Sequence, residues 1–593
     1  MKLGERTSRQ RATALASAVG LTLSWAQQSR GQEAQPAGGE NTIDRVVVTA
    51  QRREEDLIDV PIAVSAFDEV ALERRQIDQA MDLQLNVPNI AYTKTNFTSS
   101  NFQIRGIGVS SVGASSDSGV ETHFNFMPIK NPRLFETEYF DVERVEVLRG
   151  PQGTLYGRNA TGGAVNVIAR KPNDKLGGSF EIGGGDYNEK KAKGVVNLPL
   201  ADTLAARFAG LWFERDGYTE NLFTGNDVDG RDQWSARGSL RFTPSEQTDV
   251  VLTVNYYEED SSRARTLKQM CHADPTGAYG CLPDRLAFEV VNGRATLAGT
   301  LAETLPLVLN ALGIPAPALV NPGTNLNAGV LVPADLRKVA AEFDPTYKAD
   351  ETIATLEISH SVGPYTLSSI TGYQDTMFRG TTDYNWNAAV APYNGPALPL
   401  FGGAIPLTRL PTDEFGSLNG SDILLYSDRS TGYDLSMQDA DQWSQELRLA
   451  SGFEGRANVQ VGVFYFDSDD VESYQVATTE LDYAGIVLQS YPPYYINDTP
   501  SASLESSAVF GELYYDMSDA FRWTAGLRWT HDKKGIRDRT LLLDEPIGVP
   551  VPAFRVDETT FEEFTGRFGF DWKTGWGEDA TLYAFYSRGY KAG

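Results

Sequence analysis

From Gly177 onward, apolar and polar residues alternate with a period of two, in segments whose connections are sorted by length. In Phe521–Thr530, Phe521, Trp523, Ala525, Leu527 and Trp529 fall on one side and Arg522, Thr524, Gly526, Arg528 and Thr530 on the other, as the pleat of a strand requires. Val459, Val461 and Val463 alternate in the same way with Asn458, Gln460 and Gly462. Thirteen strands are predicted: 177–185, 187–199, 203–216, 233–243, 249–259, 352–362, 365–378, 442–450, 457–468, 506–516, 521–533, 559–572 and 579–590. One apolar and one polar face suits a soluble sandwich as well as a lipid-exposed barrel. Loop lengths separate the two. Connections after even-numbered strands are short (Pro199–Asp202, Thr243–Thr248, Ser361–Pro364, Ser451–Arg456, Asp516–Ala520), whereas those after strands three, five, seven, nine and eleven are long. Two of these, 260–351 and 379–441, far exceed the usual loops of a compact domain. Short turns at one end and long loops at the other are the pattern of a membrane barrel with its turns in the periplasm. No uncharged apolar run reaches the roughly 18–20 residues of a spanning helix. Any crossing must therefore be made by strands that satisfy one another's backbones. The 55 Gly, 26 Tyr, 28 Phe and 9 Trp fit turns and aromatic-rich strands better than a helical bundle.

The amino terminus follows other rules. Lys2, Arg6, Arg9 and Arg11 precede the uncharged Ala12–Ala26, and Ser24-Trp25-Ala26 fits a small-x-small cleavage site. Residues 1–26 thus read as a secretory signal, against the plainer reading of a disordered tail. Their removal takes away those four cations and Glu5, moving the net charge from −27 to −30. Such acidity argues against nucleic acid as a partner. Cys271 and Cys281 lie in CHADPTGAYGC. In an exported chain a loop disulfide is favoured over a metal pair or free thiols, since no further ligand lies nearby. His123, His272, His360 and His531 are isolated, and neither HExxH nor GxxxxGK[ST] occurs. Nothing points to an enzyme, a bound metal or a cofactor. Asn96-Phe-Thr98 and Asn159-Ala-Thr161 match a glycosylation pattern, as short patterns do by chance. Leu301–Ile314 reads as a short helix packing locally in the longest loop. Tyr384-Asn385-Trp386 and Tyr491–Tyr495 could stack on a ligand or serve as interfacial aromatics.

Between signal and strands lies a second architecture. After a polar leader comes Ile43–Ala50 (IDRVVVTA), either an ordinary first strand or an exposed one held ready to add to a partner's sheet edge. Residues 52–173 then read as a small mixed α/β globule. A strand is expected at Val60–Ala66, one or two short helices in Val70–Leu85, a stop at Val87-Pro88-Asn89 and a strand at Phe102–Gly108. The globule closes on FDVERVEVLRGPQGTLYGRNATGGAVNVIARKP, residues 140–172. There Val142–Leu148 and Ala164–Ala169 are strands around a tight glycine turn.

VERVEVLRGPQGTLYGRNATGGAVN closely resembles the end of the plug domain of TonB-dependent outer-membrane receptors, and Ile43–Ala50 resembles their TonB box. The resemblance implies a plug domain at 52–173 inside a transmembrane antiparallel β-barrel at 174–593. It marks Arg105, Gly106, Arg149, Gly150, Pro151, Gly153, Tyr156, Gly157, Arg158 and Asn159 as plug motif residues. It makes Asp44, Arg45, Val46, Val47, Val48 and Thr49 the strand that pairs with TonB. Family barrels have 22 strands. An odd thirteen, with TLYAFYSRGYKAG resembling an interior motif, leads to the expectation of a receptor lacking the last part of its barrel. With so short a leader, the extra amino-terminal signalling domain of the family's transducing members is expected to be absent. His123–Lys130 (HFNFMPIK) replaces the family's aspartate-glycine-valine turn, which bears on a plug loop that in the family faces the ligand. Implied further are a bacterial outer-membrane location and active import of an extracellular small molecule, commonly a ferric siderophore. Iron then enters only within a transported chelate. Energy comes through TonB from the inner-membrane complex. Carbohydrate, cobalamin or aromatic substrates on the same machine, and a passive pore or exported surface protein, are the alternatives.

Overall fold

The computed structural model describes residues 47–593 except 54, 95–99, 109–112, 114–115, 132–133, 264–265, 267, 410–421, 491–494, 544–551, 576–579 and 593. The signal, the leader, Asp44, Arg45, Val46, Asn96 and Tyr491–Pro493 therefore lie outside the described residues, as does Tyr494. All thirteen predicted strands form one antiparallel sheet in chain order, from Gly177–Gly185 to Thr581–Arg588. Each pairs with the next, beginning Gly177↔Asn197 and ending Lys573↔Thr581. Several strands run beyond their predicted bounds: Thr346–Val362, Gly432–Ser451, Ala457–Thr478, Tyr495–Ser518 and Phe521–Leu542. The extra residues lie at the long-loop end. In Gly432–Gln438 both faces are covered, and in Thr346–Glu351 burial still alternates but the outward residues Thr346, Lys348 and Asp350 are polar, so the apolar–polar alternation of a lipid-facing strand is lost. The two longest connections shrink accordingly to 262–345 and 384–431.

The outward face carries Leu527, Val461 and Val463, exposed by about half, while Gln460, Thr524, Arg528 and Thr530 are buried on the concave face. Aromatic residues ring the outer face at two heights. Phe521, Trp523, Phe568 and Phe570 stack at the short-turn end, and Trp234–Tyr256 and Trp443–Tyr465 pair higher up. Tyr365 and Tyr373, eight residues apart on one face, span about 27 Å of strand at roughly 3.4 Å per residue. At a tilt of about 40° that is about 20 Å along the normal, close to the apolar band of a barrel. Above the upper ring, Asp375 pairs across strands with Asp441, and Asp441 with Asp469, so much of the acidity lies beyond the lipid.

Within the plug, Val64–Asp68, Val142–Arg149, Gly163–Ala169, Val120–Phe124 and Met127–Pro128 form a five-stranded sheet in that order. Gly163–Ala169 and Val120–Phe124 are its one parallel pair. Helices Glu69–Arg74 and Leu83–Asn86 cover it, the first capped by Asp68, which accepts from the Ala71 N–H. The expected strand at 60–66 starts only at Val64, because Leu57–Asp59 forms a turn of 3-10 helix ahead of it. The strand expected at Phe102–Gly108 is Ser100–Ile104, ended by Arg105 and Gly106, both at positive φ. One apolar cluster joins Ile104, Phe124, Val145 and Val167 of the plug to Tyr257, Ile353 and Phe378 of the sheet. The plug thus packs against the concave side.

Candidate functional site

Two places concentrate buried polar chemistry: the seam where the plug meets the sheet, and the cap built from the long connections. At the seam the glycine unit does the joining. Gly153 O accepts from Thr565 Oγ1 (3.1 Å), and the Asn159 N–H donates to Tyr590 O (2.8 Å). Gly157 sits at φ +93 with the Arg528 guanidinium 2.9 Å from where a Cβ would stand. Only glycine meets both demands. Arg105 and Gly106 make the left-handed turn after Ile104, with the Arg105 N–H on Asn89 O (2.8 Å) and its guanidinium beside Gly150. Arg149, Gly150, Pro151 and Tyr156 belong to the same fold: the Gly150 N–H donates to Gly162 O, and Tyr156 is buried edge-on to His123.

Arg158 reaches Asp117 at 3.4 Å, and Lys534 of the sheet reaches the same carboxylate at 2.9 Å. Burial alone would raise the Asp117 carboxyl, but Arg158 and Lys534 outweigh it and hold it below its ordinary range. Glu121 is wholly buried nearby, and burial pushes it up to about 8 against the pull of Arg158. Further ties are Arg207–Asp141 and Lys130–Asp470, with Arg263–Glu136 at 2.5 Å. The departure HFNFMPIK folds as a hairpin whose turn, Asn125–Phe126, holds both residues at positive φ. Phe126 lies under Arg52, 5.1 Å from the guanidinium to the ring centroid. This turn is thus placed beside the end of the predicted box.

Of that box, Val47, Val48 and Thr49 are described. Val47–Val48 pairs with Glu55–Asp56. Val47 is 42% exposed but Val48 is fully buried and Thr49 nearly so, which corrects the expectation of an exposed strand. The physical reason is a buried anchor: the Thr49 N–H (2.7 Å) and Oγ1–H (3.0 Å) both donate to Glu146 Oε1. Sequence reasoning passed over Glu146, although a carboxylate amid the apolar alternation of VERVEVL was its signal. It passed over Arg528 and Arg567 too, which fall on the polar side of their strands.

The cap has its own apolar core, with Ala302, Leu319, Tyr393, Ile405 and Tyr483 at its centre. The predicted loop helix appears as Leu297–Gly299, Thr300–Thr304 and Leu305–Ala311, with Leu301, Ala302 and Leu309 buried. Cys271 and Cys281 are joined by a disulfide, Cα–Cα 5.4 Å. Tyr384 is half-buried, and Trp386, at φ +53, lines two small cavities rather than joining the interfacial rings. Helix Thr479–Leu488 carries Glu480 and Asp482 into the cap. Glu480 accepts from Tyr393 (2.8 Å), and Asp482 from the Thr408 N–H and Oγ1–H (both 2.6 Å). Burial pushes Asp482 up to about 7 and Glu342 to about 8. Among the described residues these acids form no ion pair.

Residues 56–164 match the model of the TonB-dependent receptor plug domain, and residues 318–593 that of the TonB-dependent receptor-like β-barrel. The vitamin B12 transporter BtuB of Vibrio vulnificus is 27% identical over 34% of this chain and 36% of its own length. The iron-regulated outer membrane virulence protein of Vibrio cholerae is 29% identical over 30% of this chain and 28% of its own. Among solved structures, the ferric yersiniabactin uptake receptor FyuA from Yersinia pestis superposes with a TM-score of 0.61 at 17% identity, over 90% of this chain and 65% of that one. The siderophore receptor PiuA from Acinetobacter baumannii does so with 0.57 at 15% identity, again over 90% and 65%. This chain therefore spans about two thirds of the solved receptors and aligns with about a third of the curated ones.

Proposed function

This chain belongs to the family of TonB-dependent outer-membrane receptors, transporters with a plug and a β-barrel, and on that premise we propose that it takes up a ferric siderophore. The chelate enters from outside between cap and plug, and Asp44–Thr49 pairs with the edge of a TonB sheet. Iron is cargo within its chelate. The single observation that supports energised uptake over passive flow is the packed seam. A plug tied to the sheet by buried ion pairs such as Arg158–Asp117–Lys534 fills the space in front of that wall. An external source of energy must move it, and strand addition can transmit a pull without needing a pocket. The siderophore reading draws its support from the solved relatives FyuA, a ferric yersiniabactin uptake receptor, and PiuA, a siderophore receptor.

Uptake of radiolabelled ferric siderophores into cells lacking their own receptors tests both parts. Expected is uptake that depends on TonB and falls to background when residues 44–49 are deleted. Uptake untouched by the deletion would instead identify a passive pore. The match to a vitamin B12 transporter favours a second reading, cobalamin on the same machine. Labelled cobalamin, run in parallel, decides between the two cargoes.

A further inference from the structure

The segment 47–53 is held by two unlike sets of contacts. Upstream, Thr49 is bound inside the plug: its N–H and hydroxyl both donate to Glu146 Oε1, to which Arg144 Nε also donates (2.8 Å). Arg144 Nη2 closes the triangle on Thr49 Oγ1 (2.9 Å). Glu146 is fully buried in the interior strand Val142–Arg149. Downstream, three successive side chains reach the barrel wall. Gln51 Oε1 accepts from Arg567 (2.8 Å), which also holds Glu512 (2.7 Å). Arg52 lies 3.8 Å from Glu446, and the Arg53 guanidinium lies 3.7 Å from the centroid of the Tyr514 ring. Between the two sets the chain turns sharply, with the Arg52 N–H on Thr49 O (2.8 Å) and Arg52 at φ +61.

We propose that Thr49, Glu146 and Arg144 form a catch for the partner-binding strand, and that Gln51–Arg53 form its hinge. Undocking then frees the chain through Thr49 while residues 51–53 stay fixed to the barrel. Glu146 and Arg144 act as positioning residues, since they touch the strand and neither cargo nor partner. The inference rests on the reading of Asp44–Thr49 as the strand that pairs with TonB. Its physical basis is an asymmetry in strength. Val47–Val48 contributes a two-residue ladder, and Val48 and Ala50 pack in an apolar cluster with Leu148 and Tyr156; the charge-assisted hydrogen bonds at Thr49 add the directional hold that a side-chain substitution can release. A hinge that stays anchored makes the freed strand point in one direction, which shortens the search for a partner's edge.

The test uses the purified chain in detergent, without cargo, with Val48→Cys as a reporter. Val48 is fully buried when docked, so maleimide labelling of that thiol reads undocking. Thr49→Val, which keeps side-chain shape and the Glu146–Arg144 pair, and Glu146→Gln should each speed labelling by about tenfold, the effect of losing a charge-assisted hydrogen bond. Gln51→Ala should leave the rate within about twofold of its parent. A soluble carboxy-terminal domain of TonB should bind the Thr49→Val chain more tightly than the wild type, and Val47→Pro should weaken that binding. If Val47→Pro changes nothing, the partner-strand reading fails. If Val47→Pro weakens binding but neither Thr49→Val nor Glu146→Gln speeds labelling, the catch fails alone. Faster labelling in Gln51→Ala, as large as in Thr49→Val, would overturn the division into catch and hinge.

Discussion

The seam and the cap both bury acids, but they neutralise them differently. At the seam cations do it for Asp117 (Arg158 and Lys534), Asp141 (Arg207) and Glu512 (Arg567), whereas Glu121 beside them is raised to about 8 by burial. In the cap, Glu480 and Asp482 rest on the hydroxyls and N–H groups of Tyr393 and Thr408, over an apolar core. Buried ion pairs return little net stability, because desolvation offsets most of their attraction. The ion-paired part of the seam can separate into a wet lumen at modest cost, each charge regaining water, while the apolar cluster that joins Ile104 and Phe124 to Tyr257 and Phe378 resists. The cap would expose Leu319, Val320 and Tyr483 on opening, at about 25 cal/mol for each Å² of apolar surface. The ion-paired stretch of the seam is therefore better suited to move than the apolar core of the cap.

Removing one partner at the seam should have the largest effect. Asp117→Ala leaves Arg158 and Lys534 buried without their shared carboxylate, a change that typically costs about 3–5 kcal/mol. Asp532 and Glu121 lie close enough to Arg158 to compensate in part, which places the expectation at the lower end. Chemical denaturation in detergent measures it. A loss below about 1 kcal/mol would mean that the seam behaves as a solvated surface and would erase the contrast with the cap.

Acidity should separate the two regions next. Asp482 and Glu342 have folded pKa values raised by burial. Their contribution is therefore fully present below about pH 4, where the unfolded carboxyls protonate, and is lost as pH rises through about 7 to 8. Asp117 is depressed, so its contribution is present above about pH 4 and is lost only on further acidification. A tenfold change in proton affinity is worth about 1.4 kcal/mol, so Asp482 alone could weaken the cap by up to about 4 kcal/mol between about pH 4 and 7, of which about 1.4 kcal/mol falls above pH 6. Between pH 6 and 9, amide exchange corrected for its intrinsic rate should quicken in Thr479–Leu488 and Ile405–Arg409 and stay constant in Val64–Asp68, a plug strand that does not pair with the strand of Glu121. A uniform change across all three would refute the assignment.

What the sequence reveals of these regions depends on where each signal lives. The thirteen strands are readable because lipid on one side and a polar lumen on the other impose a period of two, as at Leu527 and Arg528. Their outer extensions are not, since Gly432–Gln438 is covered on both faces and Thr346–Glu351 turns the polar Thr346, Lys348 and Asp350 outward. The glycine unit is readable as a turn, but its role as the seam is not. That role depends on Thr565, Arg528 and Tyr590, some 370 to 430 residues further along the chain. Burial of Val48 and Thr49 is illegible for the same reason: their anchor, Glu146, comes from a strand nearly a hundred residues away. Local pattern reports the solvent a strand meets, and long-range pairing remains hidden in it.

Gly157→Ala probes the seam sterically. With φ +93 and the Arg528 guanidinium in the way, a Cβ should cost about 1–3 kcal/mol of backbone strain. It should also shift Arg528 away from Thr530 Oγ1, its partner at 3.1 Å. Denaturation of the variant beside Gly575→Ala, a positive-φ glycine with open space around it, isolates the steric part. Equal losses in the two would show that the close approach contributes nothing.

The smallest effect should come from the acids outside both regions, and its sign is the informative part. Asp441 faces Asp375 on one side and Asp469 on the other, directly across the strands. Like charges placed opposite each other destabilise a sheet by about 0.2–1 kcal/mol, and salt screens exposed ones within about 10 Å at 0.1 M. Asp441→Asn should therefore stabilise the chain slightly, in contrast to every seam variant, and the gain should vanish in about 1 M salt, where screening acts within roughly 3 Å. Thermal unfolding at low and high salt reads both. A destabilised variant would mean that Asp441 is held by favourable contacts, and the division into acids that bind, acids that strain and acids that merely repel would have to be redrawn.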